Sequence, residues 1–80
     1  MLKVTSVEVL PNFTLKIELS NKKTGIFDVK PYMSKGIFKE LQDHSYFSLV
    51  QIRFSGISWP NEQDLSADTI EAELQMDIAA

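Results

Sequence analysis

Phe13, Leu15, Ile17 and Leu19 alternate strictly with Thr14, Lys16 and Glu18. This period of two is the pattern of a strand that buries one face and wets the other. Just before it, Val4 to Leu10 is rich in β-formers, with Val7 and Val9 alternating against Ser6 and Glu8. The short connection through Pro11-Asn12 makes the two segments an antiparallel hairpin. A polar tip, Ser20-Asn21-Lys22-Lys23, leads to a third extended segment from Thr24 to Val29, which Pro31 ends. The pattern predicts a three-stranded meander.

The period then changes. Ile37, Phe38 and Leu41 stand at i, i+1 and i+4, which predicts an amphipathic helix of roughly two turns, closed by Asp43 and His44. Phe47 to Phe54 returns to strand character, with Val50, Ile52 and Phe54 on one face and Gln51 and Arg53 on the other. Ser55-Gly56 marks a turn or bulge, and Ile57-Ser58-Trp59 is a short extended piece stopped by Pro60. Ser66 reads as an N-cap, with Ala67 and Asp68 in the first turn and Leu65 against Ile70 as a hydrophobic staple. The helix that follows, Thr69 to Met76, would dock Ile70 and Leu74 on the sheet, and residues 77–80 would fray. The sum is one α+β domain over residues 1–80. Its expected form is an antiparallel meander of four to five short strands, with a short central helix and a C-terminal helix packed on the sheet.

Composition narrows the class. A chain of 80 residues, 44% apolar and 24% charged, has enough hydrophobic surface to fold. It buries only ~60–65% of the surface its unfolded form exposes. A core of this size supplies roughly 3–5 kcal/mol of net stability, so association with a partner would be a useful supplement. Without cysteine there is no disulfide and no thiolate metal site, which fits a reducing compartment, and the expected location is cytoplasmic. The N-terminus runs directly into a strand pattern with no apolar signal stretch, and no run approaches the ~20 apolar residues of a membrane span. Neither a membrane nor direct nucleic-acid contact is expected. The net charge is −3 with scattered Lys and Arg, and from Asn61 onward there is no cation at all. Glu62, Asp64, Asp68, Glu71, Glu73 and Asp77 make that C-terminal quarter acidic.

Candidate chemistry is sparse. His44, the single histidine, would have to serve any hydrolase triad. Its setting reads instead as a helix C-terminus, where His suits the negative pole of the dipole. Glu62, Asp64 and Asp68 could offer oxygen ligands to Ca²⁺ or Mg²⁺, but they lack the calcium loop's alternation and its glycine. Capping and turn roles account for Asp68 and Asp64. Gly25, Gly36 and Gly56 are isolated, so no phosphate-binding loop is present. No catalytic residue, cofactor or metal ligand is assigned. Phe13, Phe27, Phe38, Phe47 and Phe54 are all expected in the core. Trp59, beside Pro60 and Asn61, either plugs the open end of a small sheet or offers an interface anchor, and plugging is favoured. The candidate partner-binding residues are Trp59, Asn61, Glu62, Asp64 and Asp68.

From Val7 through Leu74 the chain resembles a bacterial family, the domain of unknown function 2442 family. The resemblance lies in Gly25-Ile26-Phe27-Asp28-Val29-Lys30-Pro31, then in Gly36-Ile37-Phe38-Lys39-Glu40-Leu41 followed by Phe47. It is strongest in Ile57-Ser58-Trp59-Pro60-Asn61 with Asp64-Leu65-Ser66-Ala67-Asp68 behind it. The family's turn carries Gly where this chain has Glu62, a difference that bears on the turn type and not on the fold. The resemblance implies a small α+β domain, found alone or joined to a helix-turn-helix domain, and no helix-turn-helix is expected within these 80 residues. It also implies a neighbouring gene for another small protein, in an arrangement reminiscent of toxin–antitoxin pairs, and it carries no catalytic residues over.

The expected function is therefore a non-enzymatic protein-interaction module, the antitoxin-like member of a two-gene pair, binding the product of the adjacent gene. One alternative is a regulatory accessory domain that works with a separate helix-turn-helix DNA-binding protein. A second is a small-ligand binder or minor enzyme, which a deep pocket lined by Asp28, Tyr32, Tyr46 or Asp64 would favour. A homodimer through an edge strand is also expected. The first strand, with only Lys3 and Glu8 as charges, is the edge to pair.

Overall fold

The strictly alternating stretch becomes an inner strand. In a computed structural model of the chain, which describes residues 1–76, β2 (Thr14–Leu19) lies between β1 (Val4–Leu10) and β3 (Thr24–Asp28), antiparallel to both. Leu15, Ile17 and Leu19 are fully buried. Opposite them stand Val7 and Val9 on one side and Phe27 on the other, so the three strands share an apolar face. Phe13 lies in the turn and not in β2; its backbone is left-handed (φ 58°), and its ring meets Phe47 edge-on at 5.3 Å.

The fold is α+β, but the single meander of four to five strands does not form. The chain crosses from β3 to the next strand through helical turns: 3-10 helices at Lys30–Tyr32 and Gly36–Gln42, then α1 (His44–Phe47). Three very short strands follow, β4 (Gln51–Arg53), β5 (Gly56–Ser58) and β6 (Asp64–Leu65), and they make an antiparallel sheet of their own. The Val4 amide donates to the Ser55 carbonyl (2.9 Å), tying the two sheets at one corner. Helical turns keep these three short strands out of the first sheet, yet both sheets contribute to one core. Val29, Leu41, Phe47, Ile57, Trp59 and Ile70 complete it, each almost wholly buried.

Four local expectations change. In the central segment a 3-10 helix replaces the α-helix. Three residues per turn align Phe38 with Leu41 and leave Ile37 off the seam, 61% exposed. His44 does not close that helix. Asp43 ends it and caps α1, accepting from the Ser45 amide (3.0 Å), so His44 opens a new helix with its ring against Phe13. The argument from a helix C-terminus therefore does not apply to it. The stretch Phe47–Phe54 is a strand only at Gln51–Arg53, and Phe54 is 91% exposed instead of packed.

The last change concerns the C-terminal helix. Ser66 caps α2 (Ala67–Glu73) through the Thr69 amide (3.2 Å), and Leu65 and Ile70 are both buried, as a staple requires. However, α2 ends at Glu73, and Gln75–Met76 forms β7, paired with β3. Gly25 permits this, because a Cβ there would lie 2.4 Å from the Gln75 carbonyl oxygen. The expected frayed tail, residues 77–80, lies outside the described residues.

Two tethers hold α2, one to the β2–β3 turn and one to the 3-10 helix that follows β3. Glu71 accepts from the Asn21 amide (2.8 Å) and pairs with Lys23 (3.1 Å); these contacts, the Asn21 bond foremost, keep its carboxyl below the usual range. Tyr32 donates to Glu73 (2.8 Å), and burial, reinforced by that bond and the Glu73 charge, pushes the phenol up.

Candidate functional site

The segment that follows β5 was expected to carry the binding residues. It divides into an inward half and an outward half. The inward half begins with Trp59, 1% exposed, whose indole N–H donates to the Phe47 carbonyl (2.8 Å). Burial of this large ring withdraws Trp59 from the candidate contact surface, because no partner can reach it. The Trp59 amide donates to the Gln63 carbonyl (2.9 Å) and the Glu62 amide to the Trp59 carbonyl (3.1 Å), closing a tight turn.

Gln63 pins that turn to the helical segment. It is 1% exposed, its Oε1 accepts from the Tyr46 hydroxyl (2.7 Å), and its Nε2 donates to the Ile37 carbonyl (2.8 Å) and to Glu40 (3.1 Å). Asn61 adds to the clamp. Its amide side chain donates to both carboxylate oxygens of Glu40 (2.8 and 2.9 Å), and its backbone N–H donates to the Tyr46 oxygen (2.7 Å). A buried amide with all these partners specifies one docking geometry between the turn, the 3-10 helix and α1. Sequence reasoning missed Gln63 and Glu40, and it considered Tyr46 only as a pocket residue. Gln63 stands between Glu62 and Asp64 in a non-periodic turn, so nothing in the pattern marks it as buried.

The outward half is different. Glu62, Asp64 and Asp68 are exposed and line one open cleft of about 440 Å³, with Ser58 and Leu65 also lining it and Phe54 at one side. Asp64 is presented by β6, Asp68 by the first turn of α2, and Glu62 by the turn. Ser58 is 7% exposed, and its Oγ has no hydrogen-bond partner. Phe54 and Ser55 form the two-residue link between β4 and β5, and Phe54 has a left-handed backbone (φ 56°) with the Arg53 guanidinium 5.4 Å from its ring centre. Of the four residues considered for a pocket, Asp64 lines this cleft. Asp28 pairs with Lys30 (3.1 Å), Tyr32 bonds Glu73 and Tyr46 belongs to the clamp. Among the described residues, no three His, Asp or Glu side chains are grouped to hold a metal ion.

Glu62 is strained. Its φ of 73° is left-handed, a region that disfavours any residue with a Cβ and suits glycine. Glu62→Gly is therefore expected to stabilise the domain by about 0.5–1 kcal/mol, after allowing for glycine's added freedom in the unfolded chain. In a domain of this size the melting temperature would rise by about 2–8 °C. A calorimetric scan with an unchanged or lower midpoint would count against the strain.

Two antiparallel sheets closed over one core by short helical turns, with the turn after β5 as the clamp, define a small α+β domain. The chain matches the family described as protein of unknown function (DUF2442) over residues 4–75 and belongs to that family. No curated protein and no solved structure matches it. Among the described residues, no helix is long and apolar enough to cross a membrane.

Proposed function

We propose that this chain is a non-enzymatic protein-interaction module that acts in the cytoplasm as the antitoxin-like member of a two-gene pair. The observation that supports this reading is Phe54. A phenylalanine at 91% exposure, in a left-handed position of a two-residue hairpin link, is unfavourable twice over. Its ring is hydrated, and glycine would relieve its backbone. Strain and exposed aromatic surface in one residue are a pattern of binding sites. Ile52 and Leu49, 41% and 53% exposed, extend the apolar surface along the same segment. A small domain also gains stability from a partner that binds only its folded form.

Co-expression with the product of the adjacent gene tests the reading, and the two proteins are expected to co-elute at micromolar concentration. Phe54→Gly sharpens the test. It should fold at least as stably as the parent, yet pair at least about tenfold more weakly. Separate elution of the two parent proteins, or undiminished pairing by the variant, would overturn the proposal.

A further inference from the structure

We infer that the cleft between the β4–β5 link and the start of α2 receives a cationic and apolar segment of a protein partner: a Lys or Arg side chain with an apolar neighbour. The inference rests on the interaction-module reading and adds the chemistry of what is bound. Charge is the first argument. Glu62, Asp64 and Asp68 line the cleft from three different elements, and the chain has no Lys or Arg from Asn61 onward to neutralise them. Arg53 also lines the cleft, with its guanidinium against the Phe54 ring, and its single positive charge leaves the three carboxylates in excess. Three carboxylates facing one open space attract a cation and steer its approach.

The second argument is independent of charge. Ser58 lines the same cleft, the residue is more than nine-tenths buried, and its buried Oγ has no partner. Its neighbours across the small sheet are Asp64 and Gln51. A buried hydroxyl without a hydrogen bond is destabilising, and natural structures keep few of them. An incoming ammonium, guanidinium or backbone N–H would supply the missing donor. Phe54 offers exposed apolar surface for the methylene stem of Lys or Arg and for the residue beside it. A divalent cation is the poorer occupant, since these carboxylates are not grouped as a metal site.

The probe is a short peptide alternating Lys and Leu. One control has Glu in place of Lys, and another has Ser in place of Leu. Titrated into isotope-labelled protein, the Lys–Leu peptide should shift the amides of residues 54–58 and 62–68 saturably, and both controls should bind at least about tenfold more weakly. Because the carboxylates are exposed, affinity should fall as salt shortens the screening length. The combined variant Glu62→Gln, Asp64→Asn, Asp68→Asn, checked for an intact spectrum, should lose about tenfold or more. Ser58→Ala should fold and bind more weakly than the parent. Shifts scattered over the whole surface, equal binding of the Lys and Glu peptides, or parent-like affinity in the combined variant would overturn the inference. So would calcium moving the same amides more strongly than the peptide. Co-expression separates the two readings. If the adjacent gene product pairs equally with the combined variant, the cleft inference fails and the module stands. If the cleft takes the peptide but no partner co-elutes, the two-gene pairing fails and the cleft stands.

Discussion

Trp59→Ala is expected to leave the domain largely unfolded at room temperature. The indole is 1% exposed, packs against Phe47 with ring centres 6.0 Å apart, and belongs to the core shared by both sheets. Truncating a buried Trp to Ala costs about 3–5 kcal/mol. That is comparable to the roughly 3–5 kcal/mol of net stability a core this small supplies. The hydrogen bond from the indole to the Phe47 carbonyl is lost as well. Trp59→Phe separates the two contributions, since it keeps an aromatic ring in the site and removes the donor. Its expected cost is about 1–3 kcal/mol, and it should remain folded. Urea titrations followed by circular dichroism measure both variants. A loss below about 1 kcal/mol for Trp59→Ala would mean that the ring is not a structural plug.

Gly56→Ala is expected to cost about 3 kcal/mol, a large effect for one methyl group. A Cβ on Gly56 would stand 2.2 Å from the Leu65 carbonyl oxygen and 3.1 Å from the Ser66 Cα. Both are backbone atoms at the junction of β6 and α2, so relief requires moving the strand, the Ser66 cap and the helix together. Gly25→Ala makes a useful comparison. Its Cβ would also meet backbone, the Gln75 oxygen at 2.4 Å, but β7 has two residues and lies at the edge of its sheet. Detachment of β7 can absorb that clash, so the expected cost is about 1–2 kcal/mol, with lost hydrogen-exchange protection confined to the β3–β7 ladder. Equal costs for the two variants would contradict this difference in mobility.

Much of the first sheet was legible because its signals are local. Alternation places Leu15, Ile17 and Leu19 on one face whatever surrounds them, and short connections force antiparallel pairing. The start of α2 was legible for the same reason, since Ser66, Asp68, Leu65 and Ile70 act within a few residues of each other. Legibility failed where the outcome depends on contacts distant in sequence. Whether Gln75 continues a helix or joins a strand is decided by Gly25, fifty residues away, which leaves room for its backbone. Phe54 has the same hydrophobicity as Phe47, yet a hairpin link places one in solvent and helix packing places the other in the core.

The candidate site shows the same division. From sequence, residues 59–68 stood out as one acidic, tryptophan-bearing segment of a chain without cysteine or a glycine-rich nucleotide loop. Those properties are carried by residue types alone, and folding does not alter them. Only the tertiary structure sorted the segment into a clamp and a cleft. Trp59, Asn61 and Gln63 face the 3-10 helix and α1, whose donors and acceptors match theirs. Glu62, Asp64 and Asp68 meet Ser58 and Phe54 across open space because β5, β6 and α2 fold back on one another. A sequence states which groups can hydrogen-bond or carry charge. Which of them are satisfied inside and which remain for a partner depends on neighbours that only the folded chain brings within reach.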